Sequence, residues 1–330
     1  MKRKFDEADV HIVDQDRIID TMAIQMVSAR ADTTVTKYCY QIRAFDDFCE
    51  KKGISSRPAC SIHVAMYLSQ MIDAGKSDKV ISSSLYAIKW LHRMNDYPDP
   101  TINSTVLMLV DSAKRLNSKP IVKKDVISTQ NLIELCSMYL ESRDIIVLRD
   151  LSMIVLGFAG FLRFNEIVDL RCCDLRFSTD HLVLYVKKSK TDVYRSGREV
   201  FIAKGETSAC PIAMLKRYLQ CSGMPVDSEL YLFRAACRSG SKCFLLKRNK
   251  KLSYSRSRVC IVSRLKLVAP DLHLGTHSLR ASGATAAANA SGVSDRCLKR
   301  HGRWKTDIAK DGYIEDSVEK KLFVTKQLKL

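Results

Sequence analysis

Residues 117–126 form a polar, basic stretch around Pro120, and they divide this chain of 330 residues into halves with different hydrophobic patterns. In the first half, apolar side chains such as Val35, Cys39 and Ile42 recur close to the 3.6-residue period of an amphipathic helix. A proline within a polar segment interrupts a helix and favours an exposed linker. We therefore predict a helical domain, then a linker, then a domain of a different kind.

The second half combines helical patterns with two strand-like patterns. His181–Val186 and Arg198–Ala203 are rich in β-branched and aromatic residues, which predicts a hairpin with a long basic loop. The whole sequence thus predicts a mainly α fold with a small antiparallel β-sheet. The predicted divisions are a flexible tail over residues 1–13, a helical domain over 14–116, a linker over 117–126 and a mixed α+β domain over 127–330.

An excess of basic residues points to a polyanionic partner. The chain has 54 lysines and arginines against 36 acidic residues, giving a formal net charge of +18. Such a balance is typical of proteins that bind nucleic acid. In the helical half, Lys37, Arg43 and Lys89 are predicted to contact DNA phosphates, although any one of them would also suit an ordinary solvated surface.

The sequence argues against a membrane span, export and a metal site. It contains no run of about 18 or more apolar residues, and its N-terminus lacks an apolar signal core. Its 12 cysteines are therefore expected as thiols in a reducing compartment. His273 and His277 are four residues apart, but Gly275 lies between them and the glutamate of a zinc-protease motif is missing, so no metal is predicted.

Four residues of the second half stand in an informative order. His277 and Arg280 are three residues apart, so on a helix both can face one site. Trp304 follows, and Tyr313 comes nine residues after it. Each residue alone would more often have a structural role, and only the ordered combination points to a shared site.

This order resembles the active site of the tyrosine recombinases, the family of phage integrase, Xer and Cre-like enzymes. The matching positions are Arg163 and Glu166 in the first arginine box, His277 and Arg280 in the His-x-x-Arg box, Trp304 where many members carry histidine, and Tyr313 as the nucleophile. The segment around Trp304 and Tyr313 also resembles eukaryotic mobile-element recombinases of the crypton and DIRS kind.

The reaction that the resemblance implies asks for these residue types. Attack on a DNA phosphodiester places charge on its non-bridging oxygens, which two arginine forks can balance with fixed donors. A tyrosine hydroxyl has a pKa of about 10 and is a poor nucleophile until its proton is removed. His277 is suited to accept that proton. Trp304 can pack against the phosphate and donate one N–H, and Glu166 can orient a basic side chain.

The resemblance also assigns a lysine on the predicted hairpin. Lys190 lies where the family carries a catalytic lysine, which implies that Lys190 protonates the leaving 5′ oxygen. Lys187 or Lys188 could take this role in its place. Both of these lysines are also predicted to bind DNA.

The resemblance implies a site-specific recombinase or integrase that breaks and rejoins double-stranded DNA through a covalent 3′-phosphotyrosyl intermediate, without a cofactor. It implies a helical, SAM-like core-binding domain and a catalytic domain that form a C-shaped clamp on DNA. The implied assembly is a homotetramer on two duplexes, formed from a monomer or dimer in solution. The expected compartment is the nucleus for the mobile-element type and the cytoplasm otherwise.

Two other functions stay open on the sequence alone. A type IB topoisomerase-like enzyme that relaxes DNA uses nearly the same residues, and a domesticated DNA-binding protein could keep the fold without catalysis. The presence of all six site positions weakens the second alternative. His301 lies twelve residues before Tyr313 instead of nine, so we interpret it as a surface or packing residue and assign the site position to Trp304.

Overall fold

The computed structural model describes residues 5, 8–9, 13–120, 122–189, 197–240 and 242–329. The chain divides into two compact units, Met1–Val122 and Lys123–Leu330. Across the described ranges, no helix is both long enough and apolar enough to cross a membrane.

The described part of the first unit is helical. Its helices are α1 (Gln15–Ser28), α2 (Asp32–Lys52), α3 (Ser61–Asp73), α4 (Asp78–Met94) and α5 (Ser104–Asn117). Their apolar stripes enclose a core that includes Phe45, Leu68, Ile81 and Ile88. The second helix ends at Gly53, whose φ of 64° lies in the left-handed region that glycine adopts without steric cost.

The second unit is organised around one buried helix. Its helices are α6 (Thr129–Ser137), α7 (Ile145–Ala159), α8 (Phe164–Asp169), α9 (Pro211–Ser222), α10 (Tyr254–Leu265), α11 (Ser278–Asn289), α12 (Asp295–His301), α13 (Asp307–Asp311) and α14 (Val318–Gln327). Helix α7 is mostly apolar, and Leu148, Leu151 and Ile154 are fully buried. Helices α9, α10 and α11 pack against it. Asp144 caps its start by accepting a hydrogen bond from the Ile146 amide at 2.8 Å.

Two small antiparallel sheets complete the second unit. The first contains β1 (Leu175–Phe177), β2 (His181–Val186) and β3 (Arg198–Ala203) in sequence order, and the second pairs β4 (Ala236–Ser239) with β5 (Lys242–Leu245). Strands β2 and β3 pair along their whole length and coincide with the two predicted strands. The predicted mainly α fold with a small antiparallel β-sheet is therefore confirmed, while the sequence did not reveal β1 or the second hairpin.

The last helix, α14, leaves its apolar side chains exposed. None of its residues is buried, and Val318, Phe323 and Val324 are each largely exposed. Its start is fixed to α11, because Asn289 Oδ1 accepts a hydrogen bond from the Ser317 amide at 3.4 Å. The helix is thus attached to the second unit at one end and presents apolar surface along its length.

Candidate active site

The first arginine of the site is held at the start of α8. The Arg163 amide donates to Glu166 Oε2 at 2.9 Å, and Arg163 Nη1 donates to Glu166 Oε1 at 2.8 Å. The glutamate side chain is 1% exposed and the arginine side chain is 14% exposed. The buried carboxylate therefore fixes the guanidinium while part of that group stays accessible.

A second arginine, which the sequence analysis did not single out, shares the same carboxylate. Arg303 Nη2 donates to Glu166 Oε2 at 2.7 Å. Burial alone would raise the pKa of Glu166, but the charge of Arg303 and the hydrogen bonds from Arg163 outweigh burial and hold the pKa below its ordinary value. Glu166 is therefore ionised between two arginines.

This lowered pKa predicts that part of the protein's stability is lost in acid. The pKa of this carboxyl is lower in the folded protein than in the unfolded chain, where it is 4.5. The ionised carboxylate therefore stabilises the fold fully above pH 4.5. This stabilisation is lost as the pH falls through the lower pKa of the folded state. Thermal unfolding of Glu166→Gln should therefore depend less on pH below 4.5 than that of the wild type. Glu206→Gln, at an exposed glutamate, is the matched control. An unchanged pH dependence in Glu166→Gln would contradict the assignment.

The second predicted arginine, Arg280, is buried within α11. Its side chain is 0% exposed, Nη1 donates to the Phe161 carbonyl, and Nη2 donates to the Gly302 carbonyl at 2.5 Å. Burial, together with the charges of Arg163 and Arg303, lowers the pKa of Arg280 to about 10. It remains protonated at neutral pH, as a desolvated positive charge that favours an anion beside it.

Trp304 and Tyr313 lie against this arginine. The Arg280 Cζ atom is 4.8 Å from the centre of the Trp304 ring and 5.0 Å from that of Tyr313, and the two rings are 5.7 Å apart. Trp304 is buried with Phe161, while Tyr313 is half-buried. The absence of a side chain at Gly302 is required here, because a Cβ there would lie 1.9 Å from the Trp304 ring.

His277 stands at the entrance of α11. It occupies the N-cap position, is exposed, and precedes Arg280 by three residues, so it lies one helical turn away on the chain. Helix α11 comes close to the end of α7 at Gly283, where a Cβ would lie 2.1 Å from the Phe158 carbonyl oxygen. This close approach brings α11 to the loop that carries Phe161 and Arg163.

Three buried N–H groups of this region have no hydrogen-bond partner among the described residues. They are Arg280 Nε, Arg303 Nε and Trp304 Nε1. A buried donor without a partner costs about 1–3 kcal/mol, so such groups are rarely left unsatisfied. Arg280 Nε and Trp304 Nε1 lie within one cluster around the Arg280 guanidinium, and an anion such as a phosphate is the kind of ligand that would satisfy these two donors.

The predicted lysines divide into different environments. Lys190 lies outside the described residues. Lys187 Nζ pairs with Asp174 at 2.7 Å, and this hydrogen bond raises the pKa of Lys187. Lys188 is exposed. The ion pair to a buried carboxylate makes Lys187 less suited to donate a proton, and the roles of all three lysines stay predictions.

The residues predicted to contact DNA in the first unit are exposed. Lys37 and Arg43 lie on α2 and Lys89 lies on α4. Lys89 also pairs with Asp99, with a distance of 3.0 Å between Nζ and Oδ2. Their exposure is compatible with phosphate contact, and their role stays a prediction.

His301 has a packing environment. Its Nε2 lies 2.8 Å from the Ala159 carbonyl oxygen, and its ring meets Phe161 edge-on with 4.6 Å between ring centres. Burial, with the positive charges of Arg303 and Arg280, lowers the pKa of His301 despite its bond to the carbonyl. The histidine is therefore predominantly neutral at pH 7 and holds the loop after α7.

The chain is similar in sequence to two known recombinases. No family model matches the chain. It is 26% identical over 296 residues to an integrase/recombinase xerD homolog of Selenomonas ruminantium, covering 88% of this chain and 84% of that one. It is 23% identical over 252 residues to a tyrosine recombinase of Caldanaerobacter subterraneus, covering 76% of each chain.

Solved structures show the same fold at low sequence identity. XerH site-specific recombinase bound to palindromic difH substrate matches with a TM-score of 0.59 at 15% identity, covering 88% of this chain and 78% of that one. A lambda integrase dimer bound to a COC′ core site matches with a TM-score of 0.54 at 16% identity, covering 91% and 95%.

The fold matches that of solved tyrosine recombinases, and within it Arg280, Trp304 and Tyr313 are in mutual contact. The chain is therefore similar to tyrosine recombinases in both sequence and fold.

Proposed function

We propose that this protein is a site-specific DNA recombinase that breaks and rejoins DNA by transesterification through a 3′-phosphotyrosyl intermediate on Tyr313. The observation that carries the proposal is the stacking of Tyr313 and Trp304 on the buried Arg280 guanidinium. The relatives named recombinase and integrase, and neighbours solved on difH and core-site DNA, support the same activity.

In the proposed cleavage step, Tyr313 Oη forms a bond to phosphorus and the bond from phosphorus to O5′ breaks. The 3′ phosphate stays on the enzyme and a 5′ hydroxyl leaves. His277 takes the tyrosine proton, and Lys190 gives a proton to the leaving O5′. Joining is the reverse, because the 5′ hydroxyl of a partner strand attacks the phosphotyrosine and releases Tyr313.

The two predicted arginines stabilise the charge on the non-bridging oxygens. Arg163 is partly exposed, and among the described residues only its Nη1 has a hydrogen-bond partner, so the rest of its fork can meet one phosphate oxygen. Arg280 supplies a desolvated positive charge directly below the two aromatic rings. Donors fixed before the reaction contribute most to this kind of stabilisation.

The two units are proposed to close as a clamp around DNA, and four subunits are proposed to act on two duplexes. A lambda integrase tetramer bound to a Holliday junction is among the structural neighbours, with a TM-score of 0.53. The exposed apolar residues of α14 support contacts between subunits.

The relatives do not favour a topoisomerase-like or non-catalytic alternative.

A recombination assay tests the proposed function. Two plasmids carrying repeats from the DNA that flanks this gene should form joined products with the wild-type protein and none with Tyr313→Phe. Relaxation of supercoiled plasmid without joined products would favour the topoisomerase-like alternative.

DNA affinity should depend steeply on salt. Each phosphate that a lysine or arginine neutralises contributes roughly −0.9 to the slope of log affinity against log salt. Lys37→Ala and Lys89→Ala should each reduce this slope by about one, and by the same amount on any sequence. Fluorescence anisotropy at several salt concentrations measures it, and Glu206→Gln serves as a control. A slope that both lysine variants leave unchanged would exclude these residues from the DNA interface.

A leaving group that needs no proton should rescue loss of the general acid. Lys190→Ala should be slow on normal DNA and fast on DNA with a 5′-bridging sulfur, since a thiol leaves as an anion far more readily than an alcohol. Arg280→Ala should stay slow on both. Rescue of Lys188→Ala in place of Lys190→Ala would assign the acid to Lys188.

We propose that the protein acts in the nucleus. This proposal is based on the resemblance to mobile-element recombinases and on the basic residues Lys2, Arg3 and Lys4. A fluorescent fusion expressed in a eukaryotic cell should accumulate in the nucleus and lose part of that accumulation when residues 2–4 are deleted. A purely cytoplasmic fusion would contradict the proposal.

A further inference from the structure

Arg303 is a buried charged residue to which the proposed chemistry gives no role. Its side chain is 8% exposed. It follows α12 with a φ of 56°, in the left-handed region that arginine rarely adopts. A non-glycine residue is held in that region only where surrounding contacts compensate its cost.

The two terminal nitrogens of Arg303 are fully occupied by the protein. Nη1 donates to the Gly160 carbonyl at 3.2 Å and to the His301 carbonyl at 3.1 Å. Nη2 donates to the Phe161 carbonyl at 3.3 Å and to Glu166 at 2.7 Å. A guanidinium has five N–H donors, so only Nε remains for a ligand. This geometry fits a support better than a phosphate clamp.

The acceptors of Arg303 are the same groups that hold the two predicted catalytic arginines. Glu166 is the carboxylate that orients Arg163. The Phe161 carbonyl oxygen also accepts from Arg280 Nη1. Phe161 has a φ of 44°, so the residue that provides the shared carbonyl has a left-handed backbone conformation, as Arg303 does. Arg303 thus touches one support of each arginine.

We propose that Arg303 is a positioning residue that fixes Arg163, through Glu166, and Arg280, through the Phe161 carbonyl, in one geometry around the scissile phosphate. This inference rests on the proposed function. Arg303 itself does not bind the phosphate. Its charge also keeps Glu166 ionised, because that carboxylate would otherwise be buried with a single cation.

The experiment measures how fast labelled DNA becomes covalently attached to the protein. Arg303→Ala should slow attachment by roughly 100-fold, the upper range seen when an outer support of a site is removed. DNA affinity should change by less than about threefold, because few phosphate contacts are lost. Arg303→Lys should recover part of the rate, since a lysine can reach Glu166 but cannot bond all four acceptors.

Arg217→Ala is the matched control for a purely structural effect. Arg217 Nη2 also donates to backbone carbonyls, those of Tyr139 and Ser142 at 3.0 Å and that of Leu140. Its partners lie in the segment after α6 and include no predicted site residue. Its loss should lower the melting temperature without changing the rate of attachment in the folded protein.

A methylphosphonate at the scissile position separates positioning from folding. Replacing one charged oxygen with methyl leaves less charge for Arg163 and Arg280 to balance, so misplacing them should matter less. Arg303→Ala should therefore lose roughly 100-fold on phosphate and less than about tenfold on methylphosphonate. An equal loss on both substrates would overturn the proposal and leave only a structural role.

A combined variant separates positioning from direct phosphate binding. Arg303→Ala and Glu166→Gln both disrupt the bridge at Glu166, so the double variant should lose less than the two single losses combined. Additive losses would overturn the proposal in favour of a phosphate contact, and an unchanged rate in Arg303→Ala would overturn it outright. If the wild type forms no covalent adduct at all, the proposed function fails, which is a different result from each of these.

Discussion

Tyr313→Phe should form no covalent adduct with DNA while folding and DNA affinity stay close to those of the wild type. The change removes only the hydroxyl that attacks phosphorus. The ring would keep its contacts with Trp304 and Arg280, which involve its faces and edges. Without this oxygen no 3′-phosphotyrosyl bond can form, so the effect should be complete and not graded.

Denaturing gel electrophoresis of labelled DNA measures this result, and two controls make it decisive. Tyr254 is another tyrosine near the site, and its hydroxyl oxygen lies 3.5 Å from Thr276 Oγ1. Tyr254→Phe removes that hydroxyl and should still form the covalent adduct. Circular dichroism melting should show that Tyr313→Phe is folded. An adduct that persists in Tyr313→Phe would move the nucleophile to another residue.

Arg280→Ala should slow adduct formation by roughly 10²- to 10³-fold, equivalent to about 3–4 kcal/mol of transition-state stabilisation. The physical reason is that Arg280 is a desolvated cation facing Tyr313, where the phosphate must lie when it is attacked. Single-turnover reactions at saturating DNA measure the rate of the chemical step separately from DNA binding.

A buried arginine can also matter for folding, so Arg163→Ala serves as the second variant. Arg163 is partly exposed and makes only one side-chain hydrogen bond among the described residues, with Glu166. Its removal should cost activity on the same scale with a smaller change in melting temperature. If Arg163→Ala and Arg280→Ala both form adduct at the wild-type rate, neither arginine stabilises the transition state.

The sequence predicted those features that depend on local pattern. Strands β2 and β3 follow from runs of β-branched and aromatic residues, and they pair over the predicted ranges. The contact among Arg280, Trp304 and Tyr313 follows from their order along the chain, which the resemblance made recognisable. In both cases the signal lies in neighbouring residues or in spacing.

Features that depend on distant contacts could not be predicted. Arg303 contacts Glu166, which is 137 positions away in the chain. Arg303 also has a left-handed backbone conformation, which the sequence around an arginine does not predict. Its place directly before Trp304 was the only available signal. The ion pair between Lys187 and Asp174 is likewise invisible in the sequence, because it joins a lysine after β2 to a carboxylate before β1.

The second hairpin was missed for a different reason. Strands β4 and β5 are four residues each, and their side chains, including Phe244 and Leu245 of β5, are half-buried or exposed. Such short strands lack the alternation of apolar and polar residues that marks a half-buried strand. Strand β4 pairs with β5, and β5 packs against α7.

The most direct test of the central claim is the identity of the residue that carries DNA. Wild-type protein is incubated, in EDTA, with DNA from the sequence that flanks its gene, bearing a 5′-bridging sulfur to trap the cleaved state. After nuclease and protease digestion, mass spectrometry should find a nucleotide joined through its 3′ phosphate to the Tyr313 oxygen. A nucleotide on another residue, a 5′ linkage, or no adduct on any fragment of that DNA would contradict the account.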